Sequence, residues 1–223
     1  MTLAIFDLDQ TLLTGDSDHA WGEFLVESGL VDAETVLTAN DQFFADYQAG
    51  RLDIQAYLLF VLEFLAHKDP AELAELHRRF MDAKIIPMIQ AGTQALLDKH
   101  RDLGHTLMII TATNRFVTGP IAQYLGIEHL IACEAEQVNG RYTGRPEGVP
   151  SFREGKVTRL EAWLKEHAET LDGAWFYSDS HNDLPLLSLV DHPVAVDPDA
   201  RLQAEAEQRG WSIISLRETH AEF

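Results

Sequence analysis

The chain has one cysteine, Cys133, among 223 residues. That excludes an internal disulfide and fits a reducing compartment. Cys133 ends a short apolar run, 130–133, so its expected role is that of a small buried filler. No apolar run approaches the ~20 residues that a membrane-spanning helix needs, and no basic segment precedes the short apolar run near the N-terminus. Neither a membrane span nor a signal peptide is therefore expected, and a cytoplasmic protein is. Positive charge is scarce: 17 Lys and Arg stand against 36 Asp and Glu, a formal net charge of −19. A field of that sign argues against nucleic acid or an anionic membrane as a partner, and it repels any anionic substrate unless the site carries its own local positive charge. Internal repeats and low-complexity segments are absent. Hydrophobic residues at 46% and charged residues at 24% are ordinary for a soluble globular chain. The length suits one large domain or one domain with a sizeable insertion.

What is present is organised around Leu3-Ala4-Ile5-Phe6-Asp7-Leu8-Asp9-Gln10-Thr11. The apolar residues 3–6 read as a strand buried on both faces, ending in two carboxylates. Side chains two apart in an extended chain point the same way, so Asp7 and Asp9 can face one site. Two acids that close do not both ionise cheaply without a cation nearby. Alone, the pair also describes a turn after a strand.

The next 75 or so residues are helical in pattern. Ser17-Asp18 can cap a helix with Trp21, Phe24 and Leu25 that runs to Gly29. Asp32 starts a second, carrying Phe43, Phe44 and Tyr47 and stopped by Gly50. Asp53 caps a third over 54–66, and Asp69-Pro70 opens a fourth through Leu73, Leu76 and Phe80. Four helices without a strand imply a small bundle of their own, its aromatic residues forming bundle core. From Ile89 the pattern alternates. A helix over 93–103 leads to a strand over 106–111, then a helix over 120–125 and a short strand over 130–133. Gln137-Val138-Asn139-Gly140-Arg141-Tyr142-Thr143 is a hairpin signal. A helix over 156–167, a strand over 174–178, a helix over 183–190, a strand over 193–196, a helix over 198–209 and a strand over 211–215 follow. Such alternation means an α/β fold with a parallel sheet covered on both faces. The expected division is a core of residues 1–14 and 88–223 with an inserted helical cap of 15–87.

Ligands of open parallel sheets bind at the carboxyl ends of the strands. There the first strand offers Asp7 and Asp9, the second Thr111 and Thr113, and a later one Asp179 and Asp183. Lys156 lies between them at the start of a helix. Hard oxygen ligands in that number select Mg²⁺; zinc is disfavoured, since no cysteine cluster or paired histidine spacing exists. Taken singly, Thr111 ends a strand, Lys156 is a solvated lysine and Asp183 is an acid at a helix start. Their coincidence carries the signal.

The set resembles the haloacid dehalogenase superfamily of phosphohydrolases, whose motifs stand here in order as Asp7-Leu8-Asp9-Gln10-Thr11, Thr111, Lys156 and Asp179 through Asp183. The resemblance covers the whole chain, including a helical cap between the first two motifs. It implies a Rossmann-like core in which Asp7 attacks phosphorus to form an aspartyl-phosphate and Asp9 acts as general acid and base. It further implies Mg²⁺ held by Asp7, the backbone carbonyl of Asp9 and Asp179, with Asp183 in support, and phosphoryl oxygens held by Thr111, Lys156 and Asn182. Gln10 stands where relatives often have a small residue. A receiver domain of two-component signalling also gathers acids, a Thr and a Lys, but is about half this length and has no inserted bundle. A non-catalytic binding protein would be expected to lack Asp7 or Asp9.

The cap and the hairpin resemble the phosphoserine-phosphatase-like branch. That branch holds the substrate's amino and carboxylate groups with a cap acid and a cap arginine. Asp16, with Asp18 beside it, stands at about the acid's place, whereas Ala56-Tyr57-Leu58-Leu59-Phe60-Val61-Leu62 offers no cation where the arginine would fall. Thr111-Ala112-Thr113-Asn114 also departs from that branch's usual Ser-Gly-Gly. Thr111-Ala112-Thr113-Asn114-Arg115-Phe116-Val117 and Gly15-Asp16-Ser17-Asp18 look like a bacterial group that includes histidinol-phosphate phosphatases. The expected substrate is therefore a small phosphorylated metabolite, histidinol phosphate first. Phosphoserine phosphatase, a broad-specificity phosphatase, and a phosphotransferase or mutase of the same fold are the alternatives. Oligomeric state is not legible, since no heptad repeat appears.

Overall fold

Leu3, Ala4, Ile5 and Phe6 are each fully buried, and the rest of the sheet is built outward from them. The computed structural model describes residues 2–218; residue 1 and residues 219–223, the ends of the expected core, lie outside the described residues. Strand β1 (Leu3–Phe6) is followed by α1 (Ser17–Glu27), α2 (Ala33–Gln48), α3 (Ile54–Ala66) and α4 (Pro70–Phe80), the last continuing through a π-helical turn (Met81–Ile85) into α5 (Ile86–Met88). Next come α6 (Thr93–Asp102), β2 (Thr106–Asn114), α7 (Arg115–Tyr124), β3 (His129–Val138), β4 (Arg141–Glu147), α8 (Glu154–His167) and β5 (Trp175–Ser178). A 3₁₀ turn (His181–Asp183), α9 (Leu184–Leu187), β6 (His192–Val196), α10 (Ala200–Arg209) and β7 (Ser212–Ile214) complete the chain.

The sheet runs in the order β4-β3-β2-β1-β5-β6-β7. All pairs are parallel except β3 with β4, which are antiparallel. From β1 the chain builds β2 and β3 on one side, then returns to add β5, β6 and β7 on the other. The switch therefore falls at β1, where the carboxyl ends of β1, β2 and β5 adjoin. Alternation sorts the core into two layers. Ala4, Phe6, Leu107 and Ile109 pack with α1, α4, α6 and α7, while Leu3, Ile5, Met108 and Ile110 pack with α8, α9 and α10.

The four inserted helices do not close a core of their own, contrary to the sequence expectation. Trp21, Phe24, Leu76 and Phe80 belong to the same apolar cluster as Val117 and Ile121 of α7. Leu58, Leu62 and Leu65 of α3 pack with Cys133 and, on the hairpin, Ala135 and Tyr142. Cys133 is fully buried, as expected. The β3–β4 hairpin turns at Asn139 and Gly140, both with positive φ, 52° and 76°, as a two-residue turn of the primed type requires. The two largest departures from the expected boundaries are at α7 and β3. Helix α7 starts at Arg115, because the Asn114 side chain accepts from Val117 N at 3.2 Å, and Pro120 lies inside it. Strand β3 extends to Val138, where it pairs antiparallel with β4. Among the described residues no helix is long and apolar enough to cross a membrane.

Candidate active site

The first acids follow β1 directly: Asp7 N–H still donates to Tyr177 O of β5 at 2.9 Å, and the chain then turns, with Gln10 at φ 58°. The turn is tied to the end of β5 by Thr11, whose hydroxyl donates to Asp179 Oδ1 and accepts from Asp179 N, both at 3.1 Å. Asp9 is held differently. Its Oδ2 accepts from the Thr113 hydroxyl at 2.8 Å and its Oδ1 from Ser17 N at 2.7 Å. Lys156, from the first turn of α8, is buried with its ammonium 2.7 Å from Asp7 Oδ1 and 2.8 Å from Asp183. Asp183 also accepts from the Ser178 hydroxyl at 2.7 Å. Thr111 Oγ1 accepts from Thr113 N at 3.1 Å, and its own hydrogen has no acceptor among the described residues.

A cavity over this cluster is lined by Asp7, Asp9, Asp16 and Asp179 on the acid side, with Thr111 and Thr113 beside them. Its opposite wall comes from the cap: His19, Phe43, Phe44, Tyr47 and Tyr57. Sequence reasoning placed these rings in a bundle core. Helical periodicity identifies an apolar face but does not distinguish a core from a pocket wall. No Lys or Arg lines the cavity among the described residues, in keeping with the missing cap cation.

Four predicted residues do not line this cavity: Lys156 and Asp183 are joined to it through Asp7, and Asp18 and Asn182 stand elsewhere. Asp18 does not line this cavity; its carboxylate accepts from the Tyr57 hydroxyl at 2.7 Å and from Asn114 Nδ2 at 3.2 and 3.3 Å, tying α1 to α3 and to the end of β2. Asn182 does not line it either. Its Nδ2 donates to Tyr47 O at 3.1 Å and to Ser180 Oγ at 3.3 Å, and its Oδ1 accepts from Arg153 Nε at 3.0 Å. Asp16 does line the cavity, and its Oδ1 caps α1 by accepting from Asp18 N and His19 N at 2.9 and 2.8 Å.

Burial dominates the electrostatics. It pushes Asp7 up to about 7, helped by the charges of Asp183 and Asp9 and opposed by Lys156. Asp9 is pushed up to about 6 by burial and by Asp16, against its bonds from Ser17 and Thr113. Asp179 is held well above the ordinary carboxylate range by burial and by Asp7 and Asp183. Burial alone would depress Lys156, but Asp183 and Asp7 outweigh it and hold the ammonium above its ordinary value. So many raised carboxylates around a single ammonium mark a deficit of positive charge that a hard divalent cation fits. Among the described residues no three His, Cys, Asp or Glu side chains already stand as a metal-holding group. Both oxygens of Asp9 accept hydrogen bonds and Asp183 does not line the cavity, whereas Asp7 and Asp179 line it and each uses only Oδ1 in a hydrogen bond among the described residues. Two carboxylates supplemented by backbone oxygen and water suit Mg²⁺, which keeps several waters.

A doubly wound parallel sheet with a carboxylate pair after its central strand, a lysine on a later helix and acids after the neighbouring strand defines a phosphoryl-group hydrolase of the α/β type. The model of the haloacid dehalogenase-like hydrolase family matches residues 4–188, and the chain belongs to that family. It is 48% identical to a histidinol-phosphatase of Neisseria meningitidis serogroup C (strain 8013), over 96% of this chain and 99% of the relative. It is 34% identical to a phosphoserine phosphatase of Mycobacterium tuberculosis, over 96% of this chain and 70% of the relative. Among solved structures, one of a protein with unknown function from Bordetella pertussis Tohama I superposes with a TM-score of 0.90 at 43% identity, covering 97% of this chain and 100% of that one. A phospho-aspartyl intermediate analogue of phosphoserine phosphatase superposes with a TM-score of 0.69 at 16% identity, covering 97% and 93%; that likeness concerns the fold. The protein is a phosphatase of this family that acts on a small phosphorylated substrate.

Proposed function

We propose that the chain is a Mg²⁺-dependent phosphomonoester hydrolase that works through an aspartyl-phosphate on Asp7, with histidinol phosphate as its substrate. The observation that carries the substrate is the cavity wall. It combines Asp16, whose Oδ2 has no hydrogen-bond partner among the described residues, with the rings of Phe43, Tyr47 and Tyr57 and, among those residues, no Lys or Arg. That lining suits a cationic headgroup bearing a flat ring and leaves a substrate carboxylate without a counter-charge. The full-length similarity to a histidinol-phosphatase supports the same reading.

In the first step an Asp7 carboxylate oxygen attacks phosphorus while the ester P–O bond breaks. The departing alkoxide takes its electron pair and is protonated by Asp9. In the second step water attacks phosphorus, Asp9 takes the water's proton, and the Asp7–phosphorus bond breaks to release inorganic phosphate and restore both acids. A group raised to about 6 exchanges a proton readily near neutral pH, which suits Asp9 to both roles. Lys156 orients Asp7 at 2.7 Å and offsets charge on the transferring group. The hydroxyl hydrogen of Thr111 is available to a phosphoryl oxygen. Asp7, Asp179 and the carbonyl of Asp9, with Asp183 in support, would hold Mg²⁺, which would supply positive charge to offset that of the phosphoryl group.

The test is the ranking of substrates. Phosphate release should be fastest from histidinol phosphate, with phosphoserine at least about tenfold poorer in kcat/KM, the value of one charge-assisted contact. A preference for phosphoserine would overturn the substrate assignment and leave the hydrolase class intact.

A further inference from the structure

Arg153 combines three features that no part of the chemistry above explains. It is not glycine, yet it takes φ 51° and ψ −123° at the N-cap of α8, three residues before Lys156, a strained backbone that persists only where its surroundings impose it. Its guanidinium reaches in two directions: Nε donates to Asn182 Oδ1 at 3.0 Å, and Nη2 donates to the carbonyl of Gly50 in the cap. It also lies over the Phe152 ring, 4.9 Å from the centroid, and that ring in turn meets Tyr47 at 6.0 Å.

The Gly50 turn is what these contacts grip. Gly50 has φ +68°, and a Cβ there would stand 3.0 Å from His181 Nε2, 3.2 Å from Arg153 Nη2 and 3.3 Å from Arg201 Nη1. His181 is fixed through its other nitrogen, Nδ1, 2.7 Å from Asp199 Oδ2, and its Nε2 is buried beside the turn without a hydrogen bond among the described residues. Asn182 adds a second hold through Tyr47 O at 3.1 Å. The end of α2, which carries Phe43, Phe44 and Tyr47 into the cavity wall, is thus seated in a polar socket of the sheet domain. The socket adjoins Asp179 and Asp183 in sequence.

We infer that Arg153 is a positioning residue of the phosphatase reaction, which with Asn182 clamps the Gly50 turn so that the aromatic cap wall closes over a bound substrate. The inference rests on the phosphatase class and on no particular substrate. The clamp acts on binding of the part of the substrate that meets the cap and leaves the phosphoryl chemistry at Asp7 alone.

The experiment compares an aryl phosphate, whose ring meets the cap wall, with acetyl phosphate, which has none. It measures amide hydrogen exchange over residues 48–52 in the same proteins. For Arg153→Ala, kcat/KM on the aryl phosphate should fall about tenfold, chiefly through KM, while acetyl phosphate changes by less than about twofold. Exchange at 48–52 should accelerate. Arg153→Lys, which keeps one donor, should recover part of both effects. Gly50→Ala should behave like Arg153→Ala, whereas Gly29→Ala should not: Gly29 has the same φ, +68°, with nothing within 4 Å of its Cβ position. Equal losses on both substrates alongside a lower melting temperature would make Arg153 merely structural and overturn the inference. Unchanged exchange at 48–52 in Arg153→Ala and Gly50→Ala would overturn it too, even if neither substrate were turned over.

Discussion

Asp7 and Lys156 are both buried and 2.7 Å apart, and Asp183 is a second partner of the ammonium at 2.8 Å, so removing the lysine strands two carboxylates. Lys156→Met should lower unfolding free energy by about 3–5 kcal/mol, because Asp7 and Asp183 lose their buried counter-charge; urea unfolding checks it. A milder variant at the same level is His100. Burial pushes its imidazole down to about 4, with the nearby positive charge of His105 and Lys99 adding. Its Nε2 is 2.8 Å from the Tyr177 hydroxyl and its Nδ1 2.8 Å from His105 Nδ1, an arrangement that needs one ring nitrogen of that pair unprotonated. A histidine depressed in the fold contributes stability that is fully present above its unfolded value of about 6.5 and is lost as pH falls toward 4. The wild type should therefore lose up to roughly 3 kcal/mol through this group between pH 7 and pH 4. The stability difference between wild type and His100→Gln should shrink over that range; a constant difference would contradict it.

At the scale of elements, the join between cap and sheet is where sequence and structure part company. Asn114 caps α7 through Oδ1 and reaches Asp18 of α1 through Nδ2. Burial pushes Asp18 up to about 7, with Asp16 and Asp9 adding and the bonds from Tyr57 and Asn114 opposing. A carboxyl raised in the fold gives most stability when protonated, and that stability is lost as pH rises through about 7. Asn114→Asp should keep the helix cap, worth about 1 kcal/mol, and be more stable than Asn114→Ala at pH 5. At pH 8, with two carboxylates facing each other, the order should reverse. Thermal melts at the two pH values decide it. The helices α1 to α4 were legible because each has an acid at its N-cap and an apolar stripe. Which stripes face the cavity was not, since Phe43 and Phe24 have the same spacing and chemistry. The start of α7 was missed because Pro120 resembles a first helical residue while the actual cap is a single asparagine side chain. Arg153 left no signal in the sequence: its contacts join residues 50, 153 and 182, and its backbone strain is a property of the folded chain.

Over the whole molecule, the parallel sheet and its acid-bearing strand ends followed from buried apolar runs broken by Asp7, Thr111 and Asp179, a pattern that local physics determines, whereas the strand order, set by long-range pairing, was not legible. The net charge of −19 has its own consequence for an anionic substrate. At fixed Mg²⁺, raising salt from low to physiological ionic strength should increase kcat/KM by a factor of about two, because it screens the repulsion more than the short-range contacts. A fall over that range would mean that local charge at the site outweighs the global field. The central claim is tested most directly by phosphate release from histidinol phosphate with and without Mg²⁺, using the wild type and Asp7→Asn. The account predicts release only when Mg²⁺ and Asp7 are both present, with the folded variant retaining less than roughly one-thousandth of the activity. Release by Asp7→Asn at a rate near that of the wild type would contradict it.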